Sequence, residues 1–142
     1  MPFFTSQVPN LQAVGPVVDL RVAVGSAAEA ALRTAGNPIP NPIPALAMID
    51  TGATSSVIRQ GLAAQLGLYP VGVTYINTPS SMNVPCPEYL VRLAFPNNVV
   101  WEGTVLEAPL QGQHIQCLIG RDVLAQTVFV YVGYSNLFTV SF

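Results

Sequence analysis

Asp50 is the residue in this sequence best placed to do chemistry. It closes the apolar run Ala47-Met48-Ile49 and is followed at once by Thr51-Gly52-Ala53. An ionised carboxylate at the end of a hydrophobic strand is costly, so Asp50 is either heavily hydrogen-bonded or retained for acid–base work. Gly52 accepts backbone angles that other residues resist, and Thr51-Gly52 therefore reads as a tight turn. The other reactive side chains are few. Cys86 and Cys117 have neither the number nor the spacing of a disulfide framework or a metal site, and both read as inert reduced thiols. His114 falls in a polar run and reads as a loop residue; a Ser-His-Asp or Cys-His system would have to use it, yet no nucleophile sits in a recognisable elbow. No cofactor and no metal are expected.

Of the 142 residues 51% are hydrophobic, which suits one folded domain with a single core. Only 8% are charged, the basic residues are all arginine, and the formal net charge is -2. That balance offers neither the basic footprint of nucleic-acid binding nor a polybasic patch for anionic lipid. So few charges beside so much apolar content point to apolar surface covered by a second copy of the chain. No stretch is long enough to cross a membrane. Met1 to Gln7 lacks a basic n-region and a continuous apolar core, so no secretory signal is expected and a cytoplasmic location fits the reduced thiols.

The elements that must hold Asp50 follow from periodicity. Pro16 to Val24 alternates, with Val18, Leu20, Val22 and Val24 on one face and Asp19 and Arg21 on the other, as in a half-buried strand. Ser26-Ala27-Ala28-Glu29 has the spacing of a capping box and opens a short helix that Gly36 stops. The alternating prolines of 37–44 predict an extended spacer leading to the Asp50 strand. Ile58, Leu62 and Leu66 recur every four residues, which predicts an amphipathic helix over 56–66. Val71 to Ile76 reads as a strand, Asn77 to Ser81 as a projecting turn, and Tyr89 to Phe95 with Val99 to Leu106 as a hairpin about Pro96-Asn97-Asn98. After the polar loop 111–114, Ile115 to Ile119 is an apolar strand that breaks at Gly120-Arg121-Asp122 before a helix over 123–126, echoing the Asp50 unit. Val128 to Val132 and Leu137 to Phe142 form a third hairpin, and the alternation of Phe138, Val140 and Phe142 predicts an apolar edge that a dimer would bury.

Together these residues resemble the retropepsin family, the single-lobe aspartic proteases typified by retroviral proteases and their bacterial relatives. Ala47 to Val57 is similar to the family's apolar-apolar-Asp-Thr-Gly-Ala motif, and Leu118-Ile119-Gly120-Arg121-Asp122-Val123-Leu124 to its second-half motif. The resemblance covers residues 17–142 and leaves 1–16 as an N-terminal extension. It implies an all-β fold, a closed β-barrel lobe with one or two short helices, working as a homodimer. It places the catalytic aspartate on Asp50, with Thr51, Gly52 and Ala53 in support, and the flap over Tyr75 to Pro85, with Tyr75, Ile76, Thr78, Pro79 and Ser80 toward substrate. Gly120, Arg121 and Asp122 carry the second-half motif. The chain departs from the retroviral pattern at the flap tip, where Thr78-Pro79-Ser80-Ser81 replaces a glycine-rich turn. It departs again at Thr54 and Ser55, which leave Arg121 without the acidic partner found in retroviral enzymes, and its C-terminal hairpin is longer.

The implied chemistry is endoproteolysis of a peptide or protein substrate by two carboxylates that share one proton. One chain supplies one such aspartate, since Asp19 reads as a surface charge and Asp122 as a helix-start residue, so a twofold homodimer must supply the pair. The alternative is a module of the same fold that dimerises or binds peptide without cutting it, because fold alone does not fix function.

Overall fold

The computed structural model describes residues 1–110 and 113–142, so Gln111 and Gly112 of the predicted loop 111–114 lie outside the described residues. In chain order, β1 (Phe3–Gln7) and α1 (Leu11–Val14) lead to β2 (Val17–Val24), α2 (Ser26–Thr34) and β3 (Ile43–Ile49). Past the Asp50 turn come β4 (Val57–Arg59), α3 (Leu62–Gln65), β5 (Gly72–Ile76), β6 (Val84–Ala94) and β7 (Val100–Ala108). The chain finishes with β8 (Cys117–Ile119), α4 (Arg121–Leu124), β9 (Val128–Val132) and β10 (Leu137–Ser141).

The fold is all-β and retropepsin-like. Strands β2-β3-β8-β4-β7-β6 are bonded in that order, and β6 returns to β2, closing a six-stranded barrel with β5 as an outer edge on β6. Of the described helices only α2 exceeds four residues. The alternation in β2 holds: Val18, Leu20, Val22 and Val24 are buried while Asp19 and Arg21 are exposed. The parallel pairing of β3 with β8, Ile49 opposite Ile119, sets the ends of the two sequence motifs side by side. Everything about the site depends on that register.

Four expectations are corrected. The helix over 56–66 is absent, and Val57–Arg59 is instead a strand held between β8 and β7. Two neighbouring strands with free edges outweigh a four-residue periodicity, the β-branched Val57 and Ile58 suit extended backbone, and Gly61, at φ +94°, begins a one-turn α3. The capping box does not form either. Gly25 is the N-cap, and both the N–H and the hydroxyl of Ser26 donate to the Glu102 carboxylate of β7. Thus the barrel supplies the anion that favours this helix terminus, while Glu29 pairs with Arg33 and Arg92. The proline spacer is shorter than predicted, since Ile43 and Pro44 already lie in β3, opposite Val22 and Arg21.

The fourth correction concerns the C-terminal hairpin. Phe138 and Val140 do not form an exposed edge; they are buried in the chain's own core, where Phe138 meets Phe4 and Phe129 edge-on. In the strands of the three-stranded terminal sheet β1-β10-β9, the large apolar side chains left in water are Val128, Val130 and Tyr131 of β9 and Phe3 of β1. Residues 1–16 are part of this construction: β1 pairs with β10, the Phe4 ring stacks on Phe95, and Phe4 and Leu11 are buried. Burying a side chain such as Phe4 contributes about 1.5–3 kcal/mol.

Candidate active site

The Asp50 turn follows β3 and is tied to β8 and α4 along its whole length. The Asp50 N–H donates to the Ile119 carbonyl at 2.8 Å, the Gly52 N–H donates to Asp50 Oδ1 at 2.8 Å, and the Ala53 N–H donates to the Asp50 carbonyl at 3.2 Å. From the other motif, the Arg121 N–H donates to the Ala53 carbonyl at 2.9 Å and the Asp122 N–H to the Thr54 carbonyl at 3.3 Å. Gly120 has to be glycine for steric reasons. A Cβ there would stand 2.7 Å from the backbone carbon of Ser55 and 2.8 Å from its oxygen. Asp50 itself is half-buried, whereas Thr51 and Gly52 are exposed, so the carboxylate sits at the foot of a turn that projects from the barrel.

The hydrogen bonds of Arg121 and Asp122 answer the questions the sequence raised about them. Arg121 Nη1 donates to the Thr51 carbonyl at 2.8 Å and Nη2 to Thr54 Oγ1 at 3.2 Å, so a carbonyl and a hydroxyl stand in for the missing acidic partner. Asp122 does more than start a helix. Its Oδ2 accepts from the Ser56 N–H at 2.9 Å, and its Oδ1 from the Ser56 hydroxyl at 2.7 Å and from the Val123 N–H at 2.8 Å. Ser56 Oγ in turn accepts from the Gly120 N–H at 2.9 Å. Ser56 is fully buried and joins both motifs, yet periodicity placed it merely at the start of a helix. The one signal that could have revealed it is a hydroxyl six residues after Asp50, just ahead of an apolar run.

A cavity of ≈450 Å³ opens beside this turn, between Thr54, Ser55 and Val57 on one wall and Thr74 to Asn77 of the β5 side on the other. Ile76 is half-buried there and packs with Val57 on a small cluster of Cys86, Leu106 and Ala108. Tyr75, beside it on β5, also lines the cavity and is largely exposed. β5 and β6 pair as far as Ile76 opposite Val84, leaving 77–83 as the hairpin tip. At that tip the Thr78 N–H donates to the Ser81 carbonyl at 2.8 Å, Pro79 and Ser80 are exposed, and the Asn83 N–H donates to Asn77 Oδ1 at 3.0 Å. An apolar groove of ≈490 Å³ lies elsewhere, under α2 between Leu32, Leu66, Tyr69 and Leu90, and none of the predicted site residues line it. The smaller cavity is the one walled by the Asp50 loop.

The thiols lie outside this chemistry. Both cysteines are unpaired and buried, burial pushes the Cys86 thiol up, and burial pushes Cys117 up to about 12, so neither offers a thiolate near neutral pH. Among the described residues no group of His, Cys, Asp and Glu could hold a metal ion, and no helix is long and apolar enough to cross a membrane.

Comparison with known proteins agrees with this architecture. The profile of the family described as aspartyl protease matches residues 32–123. The EIAV protease complexed with the inhibitor HBY-793 is similar in structure, with a TM-score of 0.54 and 20% identity over 84% of this chain and 92% of that one. A retropepsin-like aspartic protease from Rickettsia conorii superposes with a TM-score of 0.52 and 12% identity, covering 100% of this chain and 95% of that one. No curated protein sequence matches significantly.

Proposed function

Because this chain belongs to the aspartyl protease family, we propose that it is an aspartic endopeptidase whose active unit is a homodimer with Asp50 as the catalytic residue of each subunit. The observation that carries this reading is the Asp50-Thr51-Gly52 turn, whose backbone is held by the second motif while its apex stays exposed. Among the described residues no other carboxylate is hydrogen-bonded to Asp50, Thr51 or Gly52. Asp122 is engaged by Ser56, and Asp19 lies exposed on β2 opposite Leu46. A twofold axis beside the turn brings two Asp50 side chains together and covers Thr51 and Gly52. Exposed Phe3, Val128, Val130 and Tyr131 on the terminal sheet supply apolar surface for the same association.

In the paired site the ionised carboxylate takes a proton from water as the oxygen attacks the peptide carbonyl. Its protonated mate donates to the developing oxyanion. The acid formed in the first step then protonates the leaving amine nitrogen as the C–N bond breaks, while the other carboxylate takes a proton from a hydroxyl of the diol, so the pair again holds one proton. Substrate lies extended between the turn and the 77–83 tip, pairing by backbone hydrogen bonds, with one side chain in the cavity between Val57 and Ile76. Asp50→Asn tests the assignment, because a carboxamide cannot serve as the base. The variant is expected to fold and associate like wild type and to lose cleavage of a mixed peptide library. Near wild-type cleavage by the purified variant would remove Asp50 from the mechanism, and a wild-type chain that binds peptides without cutting them would make it a binding module.

A further inference from the structure

The peptide group between Thr51 and Gly52 is bonded at both ends. Its carbonyl accepts from Arg121 Nη1 at 2.8 Å, and its N–H donates to Asp50 Oδ1 at 2.8 Å. We propose that Arg121 is a positioning residue that acts on the Asp50 carboxylate through this one peptide group. A cation at the carbonyl end has two effects. It fixes the rotation of the peptide plane, so that the N–H points at Oδ1 and not past it. It also draws electron density toward the carbonyl oxygen, which makes the N–H a stronger donor to a carboxylate, as expected when hydrogen bonds polarise one another in series.

Three further observations suit that role. Among the described residues the Arg121 guanidinium forms no ion pair with a carboxylate, so its charge is not cancelled by a neighbouring anion. The planar fork is aimed by a second contact, Nη2 to Thr54 Oγ1 at 3.2 Å, and its own backbone is fixed by the 2.9 Å bond to the Ala53 carbonyl. Moreover, Asp50 Oδ1 lies so close to Gly52 that a Cβ there would stand 3.1 Å from it, tighter than an ordinary contact, so the residue after the bonded carbonyl leaves the oxygen open to its N–H. Thr54 thus takes a job that a carboxylate would do differently, holding the arginine in place while leaving its charge for the peptide.

The inference rests on Asp50 as the acid–base group, and the experiment separates the two. Arg121→Met and Arg121→Lys are compared with wild type, with near-ultraviolet circular dichroism and sedimentation reporting fold and association. In the first arm the amide resonance of Gly52 is followed by NMR, which needs no activity. Arg121→Met is expected to move the Gly52 amide proton upfield, toward a weaker hydrogen bond, and Arg121→Lys to restore part of the shift; an unmoved resonance in Arg121→Met overturns the coupling. In the second arm peptide cleavage is measured at protein concentrations where specific activity no longer rises. The expected result is a fall in kcat of about tenfold in Arg121→Met, since small errors in placing a reacting group are expensive, with KM nearly unchanged. Partial recovery is expected in Arg121→Lys. A retained kcat, or a rise in KM alone, overturns the proposal. A wild-type chain without peptidase activity overturns the function reading instead, and the Gly52 resonance then decides the coupling alone.

Discussion

Ser56→Ala should be among the most damaging single-atom deletions in this protein. The lost oxygen donates to Asp122 Oδ1 at 2.7 Å and accepts from the Gly120 N–H at 2.9 Å in a site with no solvent exposure. A hydrogen bond to a charged group contributes about 1.5–3 kcal/mol, and a buried donor left without an acceptor costs about 1–3 kcal/mol. Asp122 keeps the N–H groups of Ser56 and Val123, so the lower part of each range applies, giving a loss of about 3 kcal/mol. For a domain of this size each kcal/mol moves Tm by about 3–4 °C, and the expected fall is therefore about 10 °C. Thermal unfolding is followed by circular dichroism at one fixed protein concentration, because association would raise Tm by mass action. Ser55→Ala is the comparison, as Ser55 is half-buried and its hydroxyl makes no hydrogen bond among the described residues. It should shift Tm by about 2 °C or less. A Ser56→Ala variant melting within about 3 °C of wild type would show that the two motifs are not joined through this oxygen.

Other outcomes follow from the same contacts. Gly120→Ala drives a Cβ to 2.7 Å from the Ser55 backbone, which no side-chain rotation relieves, so little soluble folded protein should be recovered on expression. Hydrogen bonds from the Ser26 hydroxyl and N–H hold the Glu102 carboxyl below its ordinary value of 4.5. A carboxyl depressed in the folded state stabilises above its unfolded value and loses that contribution as pH falls through the folded one. Urea unfolding of Ser26→Ala against wild type should accordingly show a gap at neutral pH that narrows below about 4.5. Cys117, buried and raised to about 12, should resist iodoacetamide at mildly alkaline pH in the native protein and react fully once unfolded, as read by mass spectrometry.

What the sequence determined by itself is local. The alternation of Val18, Leu20, Val22 and Val24, the apolar run into Asp50-Thr51-Gly52, the hairpin about Pro96-Asn97-Asn98 and the second motif at Gly120-Arg121-Asp122 each declare an element within a short window. A strand's period, its turn residues and a strand-end charge are properties of neighbours in the chain. Tertiary structure decided whatever depends on which edge a segment meets. Val57–Arg59 became a strand because β7 and β8 lie on either side of it, and Phe138 and Val140 face inward because β1 and β9 flank β10 over the barrel. The cross-links Ser56 to Asp122 and Arg121 to Thr51 span 66 and 70 residues of chain. No local pattern encodes such a distance. They exist because the β3–β8 register sets Ile49 beside Ile119: once those backbones touch, the buried Ser56 finds its partners in Asp122 and the Gly120 N–H, and Arg121 reaches the Thr51 carbonyl at the exposed rim of the same junction.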